Sequence, residues 1–355
     1  MSPGTCGGPV RIAVGRDLLG WHDRFLSALH ESEAAGDGVT AELVDLDGSG
    51  WEHAVIKADA VLWKPSYMGP AASAQVIARI SFIENHLRKR VVPNVASIWH
   101  FENKLAQSDL LSWAGIDTPR YFGGFELRQI REALANEVFP IIVKSPYGAG
   151  SSQVRMVRTR VEAEREAELT FSYQLWTLWR ATHRNRTGAV LSASRHRWFW
   201  RELARRASGR EPFGVMYWQQ YLPGNSADLR VTVIGDRWAF AFWRRNRPND
   251  FRASGSGLLD YETAIPLDVV EHCIGISRRF RFDSMAYDII FRDDKPFILE
   301  ISYGYLDSAI QRCAGHYEMM ANGTLEFRAG AVWPQTLWVR WLVEGLLRRA
   351  CEDAR

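Results

Sequence analysis

Short apolar runs alternate with amphipathic stretches through the first 97 residues, and this alternation strongly limits what the chain can fold into. The apolar runs lie at residues 10–14, 39–46, 58–63 and 91–95, and an amphipathic stretch begins at Trp21. Strand patterns separated by helical patterns are typical of a parallel sheet with helices on its faces. We therefore predict such a sheet, with a binding side at the loops that follow its strands, residues 15–17 and 64–68.

The composition is that of an ordinary folded globule. Of the 355 residues, 46% are hydrophobic and 24% are charged, with 14 prolines and 28 glycines, which argues against disorder. A chain of this length has room for two or three domains. Its net charge of +3 is too small to mark a surface built for nucleic acid, which we do not expect as a partner.

The cysteines and the apolar runs indicate where such a chain resides. The four cysteines are far apart and form no CxxC pair, so we interpret them as reduced thiols of a cytoplasmic protein. No run reaches the roughly 20 apolar residues that a membrane span requires. The N-terminus lacks a signal-peptide pattern. We predict a soluble, unprocessed protein without a membrane span.

Later segments predict further elements. A helical pattern at residues 103–115 ends at Gly115 and places a domain boundary near residue 98. Strand patterns at residues 140–144 and 153–157 flank a glycine loop and predict a hairpin. An antiparallel sheet and a closing helix at residues 337–349 are also predicted. The strand patterns of that sheet lie at residues 215–222, 229–234, 238–243, 284–291 and 296–301.

Residues 171–210 form a basic, aromatic segment. They contain nine arginines and a single acid, Glu202, together with tryptophans at 176, 179, 198 and 200. One hypothesis is a surface that binds an acidic polymer or nucleic acid. The alternative is that tryptophans at near-helical spacing belong to a core or to a partner surface.

Three groups of residues suggest chemistry. Lys144 ends an apolar strand before a loop with two glycines and two serines, which either cradles phosphate oxygens or is a solvated hairpin. Asp288 and Glu300 each lie inside an apolar run on neighbouring predicted strands. Such carboxylates either bind Mg²⁺ or pair with arginines, because burying them alone is costly.

The third group is rich in arginine. Arg244, Arg245, Arg247 and Arg252 precede a glycine-rich turn, and Asp228 and Arg230 lie on the strand before them. Guanidinium forks suit phosphate or a developing oxyanion, although surface arginines are common.

The order of these pieces resembles the ATP-grasp superfamily over nearly the whole chain. The match is nearest to the ribosomal-protein glutamate ligases, the glutathione synthetases and the D-alanine-D-alanine ligases. The resemblance implies an α/β plus α+β fold: an N-terminal parallel-sheet domain (the pre-ATP-grasp domain) followed by a two-lobed ATP-grasp domain that holds a nucleotide between its lobes. It predicts that residues 1–97 form the first domain, residues 98–218 a central lobe with the basic, aromatic insertion, and residues 219–355 a C-terminal lobe with the metal site.

The resemblance also assigns roles to residues. Asn103-Lys104 resembles the Asp-Lys that opens the family's central domain. The implied nucleotide-binding residues are Lys104, Lys144, Gly148, Gly150, Ser151, Gln219, Gln220, Tyr221, Leu222 and Asp228. The implied catalytic residues are Arg230, Arg244, Arg245 and Arg252, and the implied Mg²⁺ ligands are Asp288, Glu300 and Ser302. Ser302, Gln220 and Ser254 depart from the family's usual Asn, Glu and Asn.

The implied activity is an ATP-dependent ligase that joins a small-molecule carboxylate to an amine or similar nucleophile through an acyl phosphate, releasing ADP and phosphate. ATP and Mg²⁺ are the implied cofactors. The sequence leaves open whether the chain forms a homodimer. The alternatives are a degenerate nucleotide-binding module, motivated by Ser302, and a binder of an acidic polymer. The side chains that we expect to select the substrate are Arg16, Lys64, Ser66, Tyr67, Tyr303 and Tyr305.

Overall fold

The computed structural model describes residues 10–34, 38–148, 154–183 and 214–353. The chain divides into two compact units, Met1–Glu102 together with Gly224–Arg355, and Asn103–Pro223. We call them the discontinuous unit and the central unit. The finer division into three domains stays a prediction.

The elements are numbered in chain order. The strands are β1 (Val10–Gly15), β2 (Val39–Val44), β3 (Ala60–Leu62), β4 (Arg90–Val92), β5 (Tyr121–Gly124), β6 (Ile141–Lys144), β7 (Val154–Val157), β8 (Met216–Gln220), β9 (Ala227–Ile234), β10 (Trp238–Arg245), β11 (Leu259–Asp260), β12 (Ser284–Arg292), β13 (Lys295–Ser302), β14 (Gly315–Met319) and β15 (Leu325–Ala329). The helices are α1 (Trp21–Ala34), α2 (Trp51–Lys57), α3 (Pro70–Asn85), α4 (Val95–Ile98), α5 (Lys104–Trp113), α6 (Leu127–Ala135), α7 (Arg160–His183), α8 (Leu267–Phe280), α9 (Asp307–Gln311) and α10 (Pro334–Asp353). None of the helices in the described ranges is long and apolar enough to cross a membrane.

The first sheet of the discontinuous unit has the strand order β2-β1-β3-β4, and every pair is parallel. This confirms the parallel sheet predicted from the alternating pattern. Ile12 and Val14 pack in one core with Phe25 of α1, whereas Ala13 packs in another with Val55 of α2. Because alternate residues of β1 enter different cores, both faces of the strand are apolar, as expected of a covered parallel strand.

The second sheet of this unit is antiparallel, with the order β13-β12-β9-β10-β14-β15 and with β11 paired to β10. This confirms the predicted antiparallel sheet for four of its five strand patterns. The first pattern, residues 215–222, instead forms β8, which pairs with β5 and β6 in a different sheet. Phe240 and Ile234 on one face share a core with Ile12 of the parallel sheet. On the other face, the hydroxyl of Tyr287 lies 2.7 Å from that of Ser277 in α8. The central strands of this sheet are therefore buried on both faces, and polar side chains on them need partners.

The central unit is built on a third sheet, with the antiparallel order β5-β8-β6-β7. The β6–β7 pair is the predicted hairpin, although its tip at residues 149–153 lies outside the described residues. Ile130 of α6, Ala163 of α7 and Trp218 of β8 belong to one core. This packing fixes β6, which ends at Lys144, between two hydrogen-bonded neighbours.

Candidate functional site

Lys144 lies at the end of β6 in the central unit, and it is buried, with 7% of its surface exposed. Its ammonium donates a hydrogen bond of 2.6 Å to Oε1 of Gln219 on β8. Gln219 is opposite Ile142, two residues before the lysine, so both side chains lie on the same face of the sheet. The structure therefore brings together two residues that the sequence placed in one nucleotide site.

Lys104 begins α5 and is tied to the loop that follows Lys144. Asn103 caps the helix by accepting a hydrogen bond of 3.2 Å from the amide of Ala106. The amide of Lys104 donates to the carbonyl of Pro146 at 2.9 Å, and its ammonium donates to the carbonyl of Gly148. Lys104 thus contacts the segment at residues 145–148, and Lys144 directly precedes it. Binding of one phosphate chain by both lysines would require them to lie near the same segment.

The rest of the predicted nucleotide residues are partly described. Gly148 has a φ of +105°, a value that favours glycine. Gly150 and Ser151 lie outside the described residues. Gln220 ends β8, and its amide donates to the carbonyl of Arg120 at 2.7 Å. Tyr221 and Leu222 follow directly, and Leu222 is buried.

In the discontinuous unit, three charged residues lie in a row across adjacent strands. Glu300 on β13 is directly opposite Asp288 on β12, which in turn is directly opposite Arg230 on β9. Directly opposed residues point to the same face of a sheet, so the predicted pair of carboxylates faces one way. Arg230 grips Asp288 through two hydrogen bonds, of 2.7 and 2.8 Å.

Arg244 on β10 extends this row into a buried network. It binds Asp228 with both ends of its guanidinium, at 2.7 and 2.6 Å, and also lies 2.6 Å from Oδ2 of Asp288. Asp228 and Arg244 are directly opposed on β9 and β10. The two acids are thus balanced by two guanidinium groups. For Asp288, this is the arginine-paired arrangement that the sequence left open.

The network affects the two acids differently. Burial tends to raise the pKa of Asp288, but the charges of Arg230 and Arg244 outweigh burial and lower it. Burial raises the pKa of Asp228, against the opposing charge of Arg244. Asp288 is bound by two guanidinium groups and Asp228 by one, and the negative charge of Asp288 further raises the pKa of Asp228. Asp288 is therefore held as a carboxylate.

The predicted Mg²⁺ ligands form a donor set of oxygens only. The hydroxyl of Ser302 donates to Glu102 at 3.3 Å, so a further carboxylate lies at the end of β13. Among the described residues, no group of three or more His, Cys, Asp and Glu side chains has the arrangement of a metal site. Two opposed carboxylates with a hydroxyl nevertheless suit Mg²⁺, which prefers oxygen ligands and usually keeps waters or phosphates. The donor chemistry fits this ion.

Two of the predicted arginines lie apart from the network. Arg245 is adjacent to Arg244 on β10, so its side chain projects from the opposite face, where it binds Asp260 at 2.5 Å. Arg252 lies on the loop between β10 and β11 and binds Asp250 at 2.6 Å. Neither contact bears on phosphate binding, and the predicted catalytic roles of both arginines stay predictions.

Three of the expected substrate-selecting residues are buried by internal contacts. Lys64 is 1% exposed, binds Asp307 at 2.5 Å, and lies 3.7 Å from the ring centre of Trp21. The hydroxyl of Tyr303 donates to the carbonyl of Pro65, and that of Tyr305 lies 2.7 Å from Ser284. Lys64 and Tyr303 thereby connect the loop after β3 to the segment after β13, whereas the hydroxyl of Tyr305 contacts β12. Their role in selecting the substrate stays a prediction.

Two residues that were not among the predicted site residues, Asp17 and Glu102, contact the loop after β3 and the end of β13, respectively. The carboxylate of Asp17 accepts hydrogen bonds from the amide and the hydroxyl of Ser66, at 3.0 and 2.6 Å. Arg16 is exposed, and Ser66 and Tyr67 are half-buried. Asp17 lies in the loop after β1, and this position was its only signal. Glu102 was likewise marked only by its place before Asn103-Lys104.

The basic, aromatic segment at residues 171–210 lies mostly outside the described residues. The backbone of α7 is described as far as His183. The hypothesis of an acidic-polymer surface therefore falls on residues that the structure does not describe.

Comparison with solved structures shows that the chain has the ATP-grasp fold. No protein-family profile and no curated protein matches the sequence. D-cycloserine synthetase DcsG has a TM-score of 0.58 at 14% identity, covering 95% of this chain and 99% of that one. A D-alanine--D-alanine ligase from Bacillus anthracis complexed with ATP has a TM-score of 0.53 at 12% identity, covering 98% and 100%. The ATP-grasp ligase PsnB, complexed with a minimal precursor, Mg and ADP, has a TM-score of 0.51 at 14% identity, covering 96% and 98%.

Proposed function

We propose that the protein is an ATP-dependent ligase that phosphorylates a small-molecule carboxylate and passes the acyl group to an amine or similar nucleophile. The products besides the ligated compound are ADP and phosphate. The observation that carries the proposal is the opposed pair Asp288 and Glu300 in an ATP-grasp fold whose two lysines, Lys104 and Lys144, adjoin one glycine loop.

The nucleotide role rests on the central unit. Lys144 and Lys104 offer positive charge to phosphate oxygens, and the loop after Lys144 offers backbone amides. Gln219 holds the ammonium of Lys144 in place through their 2.6 Å hydrogen bond. Gln220, Tyr221 and Leu222 form the segment that would contact the adenine.

The metal role rests on Asp288, Glu300 and Ser302 of the discontinuous unit. These residues would hold Mg²⁺, which neutralises charge on the phosphate oxygens when it is bound. Arg230 and Arg244 keep Asp288 ionised, so its carboxylate is available without loss of a proton. Because Arg230 also fixes the carboxylate in plane with its guanidinium, it restricts the orientation of that ligand.

The chemistry requires positioning more than a reactive side chain. Placing both substrates side by side removes an entropic barrier of up to about 7–11 kcal/mol in favourable systems. Arginines that stabilise the charge of the transferred group supply much of the rest. We assign this role to Arg252, whose side chain is partly exposed. Accordingly, we propose no nucleophilic serine or cysteine.

The partners and the location belong to the same proposal. A small carboxylate and an amine are the expected substrates, and the cytoplasm is the expected location. Cys273 and Cys313 are free and buried, in keeping with a reducing compartment.

A second candidate function is nucleotide binding without ligation. Two observations favour it: Ser302 stands where the family usually has Asn, and Asp288 is gripped by two guanidinium groups rather than one. Such a protein would bind ATP and form no ADP with any acid and nucleophile.

The test is a screen with Mg-ATP, pools of carboxylic acids, and hydroxylamine as a general nucleophile. An acyl phosphate reacts with hydroxylamine to give a hydroxamate and phosphate, so the expected result is equal amounts of hydroxamate and ADP from at least one acid. Glu300→Gln should lose both products, whereas the exposed Glu326→Gln should keep them. ATP binding without ADP in every pool would support the second candidate and contradict the ligase.

A further inference from the structure

A cavity lies at the opposite end of the antiparallel sheet of the discontinuous unit from the pair Asp288 and Glu300. It has a volume of about 500 Å³ within the discontinuous unit. The turn after β9 borders it at Gly235, five residues beyond Arg230. Asp283, which directly precedes β12 and lies five residues before Asp288, borders it as well. Five residues of extended strand span roughly 16 Å. The cavity is therefore separate from the proposed metal site.

The cavity is also separate from the predicted substrate loops. Arg90, which lines it, is the first residue of β4, so the cavity opens at the amino edge of the parallel sheet. The predicted substrate loops follow β1 and β3 at the carboxyl edge. None of the described residues assigned to the proposed ligase reaction lines this cavity.

Positive charge dominates the lining. The cationic side chains are Arg88, Lys89, Arg90, Arg278 and Arg281, and the acidic ones are Glu84, Asp236 and Asp283. All three acids are already engaged. Asp283 binds Arg90 at 2.6 Å, Glu84 accepts from the amide of Val95 at 2.7 Å, and Asp236 binds Arg278 at 3.3 Å.

Arg88 and Arg281 are the two arginines without such a partner. Over the part of the chain that the structure describes, no carboxylate lies within 4.0 Å of either guanidinium. Both arginines also have an unusual backbone, with a φ of 55°. Arg281 is the C-cap of α8, and Arg88 lies three residues past the end of α3.

The left-handed backbone at Arg88 and Arg281 is a separate observation that favours a binding role for these two side chains. Glycine is the favoured residue at such positions after a helix, because a side chain is strained there. The partial negative charge at a helix end attracts a cation nearby, but it does not require that the strained residue itself be the cation. At two such strained positions, which follow different helices, the residue is an arginine that lines the same cavity.

We propose that this cavity binds a small phosphorylated organic molecule. Guanidinium forks match phosphate oxygens in charge and in geometry, and two of them here have no acid to bind. The volume lies within the roughly 300–1,000 Å³ typical of small-molecule sites and exceeds what phosphate alone would fill. Trp341 supplies a flat apolar wall for the organic part, with Arg90 stacked 5.0 Å from its ring centre.

The test is calorimetric titration of the full chain with pyrophosphate, without Mg²⁺. Wild type should show a site that Arg88→Glu/Arg281→Glu removes, with affinity at least about tenfold weaker, since each lost charge-assisted contact contributes substantially. Lys144→Met, which disables the proposed ATP site, should keep this binding. The control Arg128→Glu/Arg131→Glu reverses two exposed charges in the central unit and should also keep it.

Unchanged pyrophosphate binding in Arg88→Glu/Arg281→Glu would overturn the proposal, and so would an equal loss in the control. If charge reversal prevents folding, as judged by circular dichroism, the neutral variant Arg88→Gln/Arg281→Gln decides the same question by the same criteria. Citrate is titrated in parallel. Citrate binding as tight as that of pyrophosphate at the same two arginines would overturn the assignment of a phosphate ligand. The outcome is independent of whether the protein is a ligase.

Discussion

The carboxylate of Asp288 joins the fold to the proposed chemistry. A carboxylate buried on a central strand requires a compensating charge. Arg230 supplies it from the neighbouring strand β9, and Arg244 supplies it from β10, one strand further away. The same contacts keep Asp288 ionised and fixed, which a metal ligand needs. Stability and function therefore depend on one set of ion pairs.

Arg230→Ala should lower the free energy of unfolding by about 3 kcal/mol, because it leaves a buried carboxylate with one partner fewer. Urea denaturation measures the change. Arg292→Ala removes an exposed arginine from the end of the neighbouring strand and should have an effect within about 0.5 kcal/mol. The double variant Arg230→Ala/Asp288→Ala should recover part of the loss. Equal stability of Arg230→Ala and Arg292→Ala would contradict this account of the network.

His100 should make stability depend on pH. It is fully buried between Trp99 and Phe282, and burial lowers its pKa from 6.5 to about 4. Between pH 6.5 and pH 4, His100 binds a proton in the unfolded chain but stays neutral in the folded chain. Stability should therefore fall as the pH drops from 6.5 to 4, by about 3 kcal/mol in total from this residue.

The measurement is the free energy of unfolding between pH 4 and pH 7, in the wild type and in His100→Phe. The variant should show a shallower pH dependence over this interval. His53→Phe, at an exposed position, should keep the wild-type slope. An identical slope in His100→Phe and wild type would rule out His100 as its source.

Among the helices, α5 has an N-terminus that can be tested directly. Asn103→Ala should destabilise the central unit by about 1 kcal/mol, because the cap on the amide of Ala106 is lost. Asn103→Asp should keep the stability, since aspartate caps equally well and suits the positive end of the helix. The measurement is the urea midpoint of each variant. A midpoint in Asn103→Ala equal to that of Asn103→Asp would mean that the cap does not hold α5.

Elements with a strong local pattern were predictable from the sequence, and those without one were not. Strand β1 and the pair β12–β13 contain continuous apolar runs, so they were recognisable in the sequence. Strand β15 was missed because it is an exposed edge, with four of its five residues at the surface. Burial of Lys64 was also invisible, since it depends on Asp307, 243 residues later. The neighbouring strands of Asp288 and Glu300 were predictable from the short turn between them, but their direct opposition was not. It depends on a β-bulge next to Asp288, without which the turn would place Leu299 opposite that residue.

At the scale of the whole molecule, we predict that ADP formation depends on the charge of a single side chain in the central unit, that of Lys144. Lys144→Met keeps the aliphatic stem and removes the ammonium, so the fold should remain while ADP release falls by roughly 100-fold or more. Lys57→Met makes the same change at an exposed helix end and should release ADP at the wild-type rate. Coupled-enzyme detection of ADP and a thermal melt of each variant provide the measurements. Wild-type turnover in Lys144→Met would remove this lysine from the proposed site.

The fate of the carboxylate oxygens tests the proposed ligase most directly. An acid labelled with oxygen-18 at both carboxylate oxygens is turned over with Mg-ATP and its nucleophile, and the phosphate released is examined by mass spectrometry. If the carboxylate attacks ATP and the nucleophile then displaces phosphate, one labelled oxygen leaves with each phosphate. We predict that singly labelled phosphate forms in step with ADP. Unlabelled phosphate formed in step with ADP would show that water, not the acid, receives the phosphoryl group, and would contradict the account.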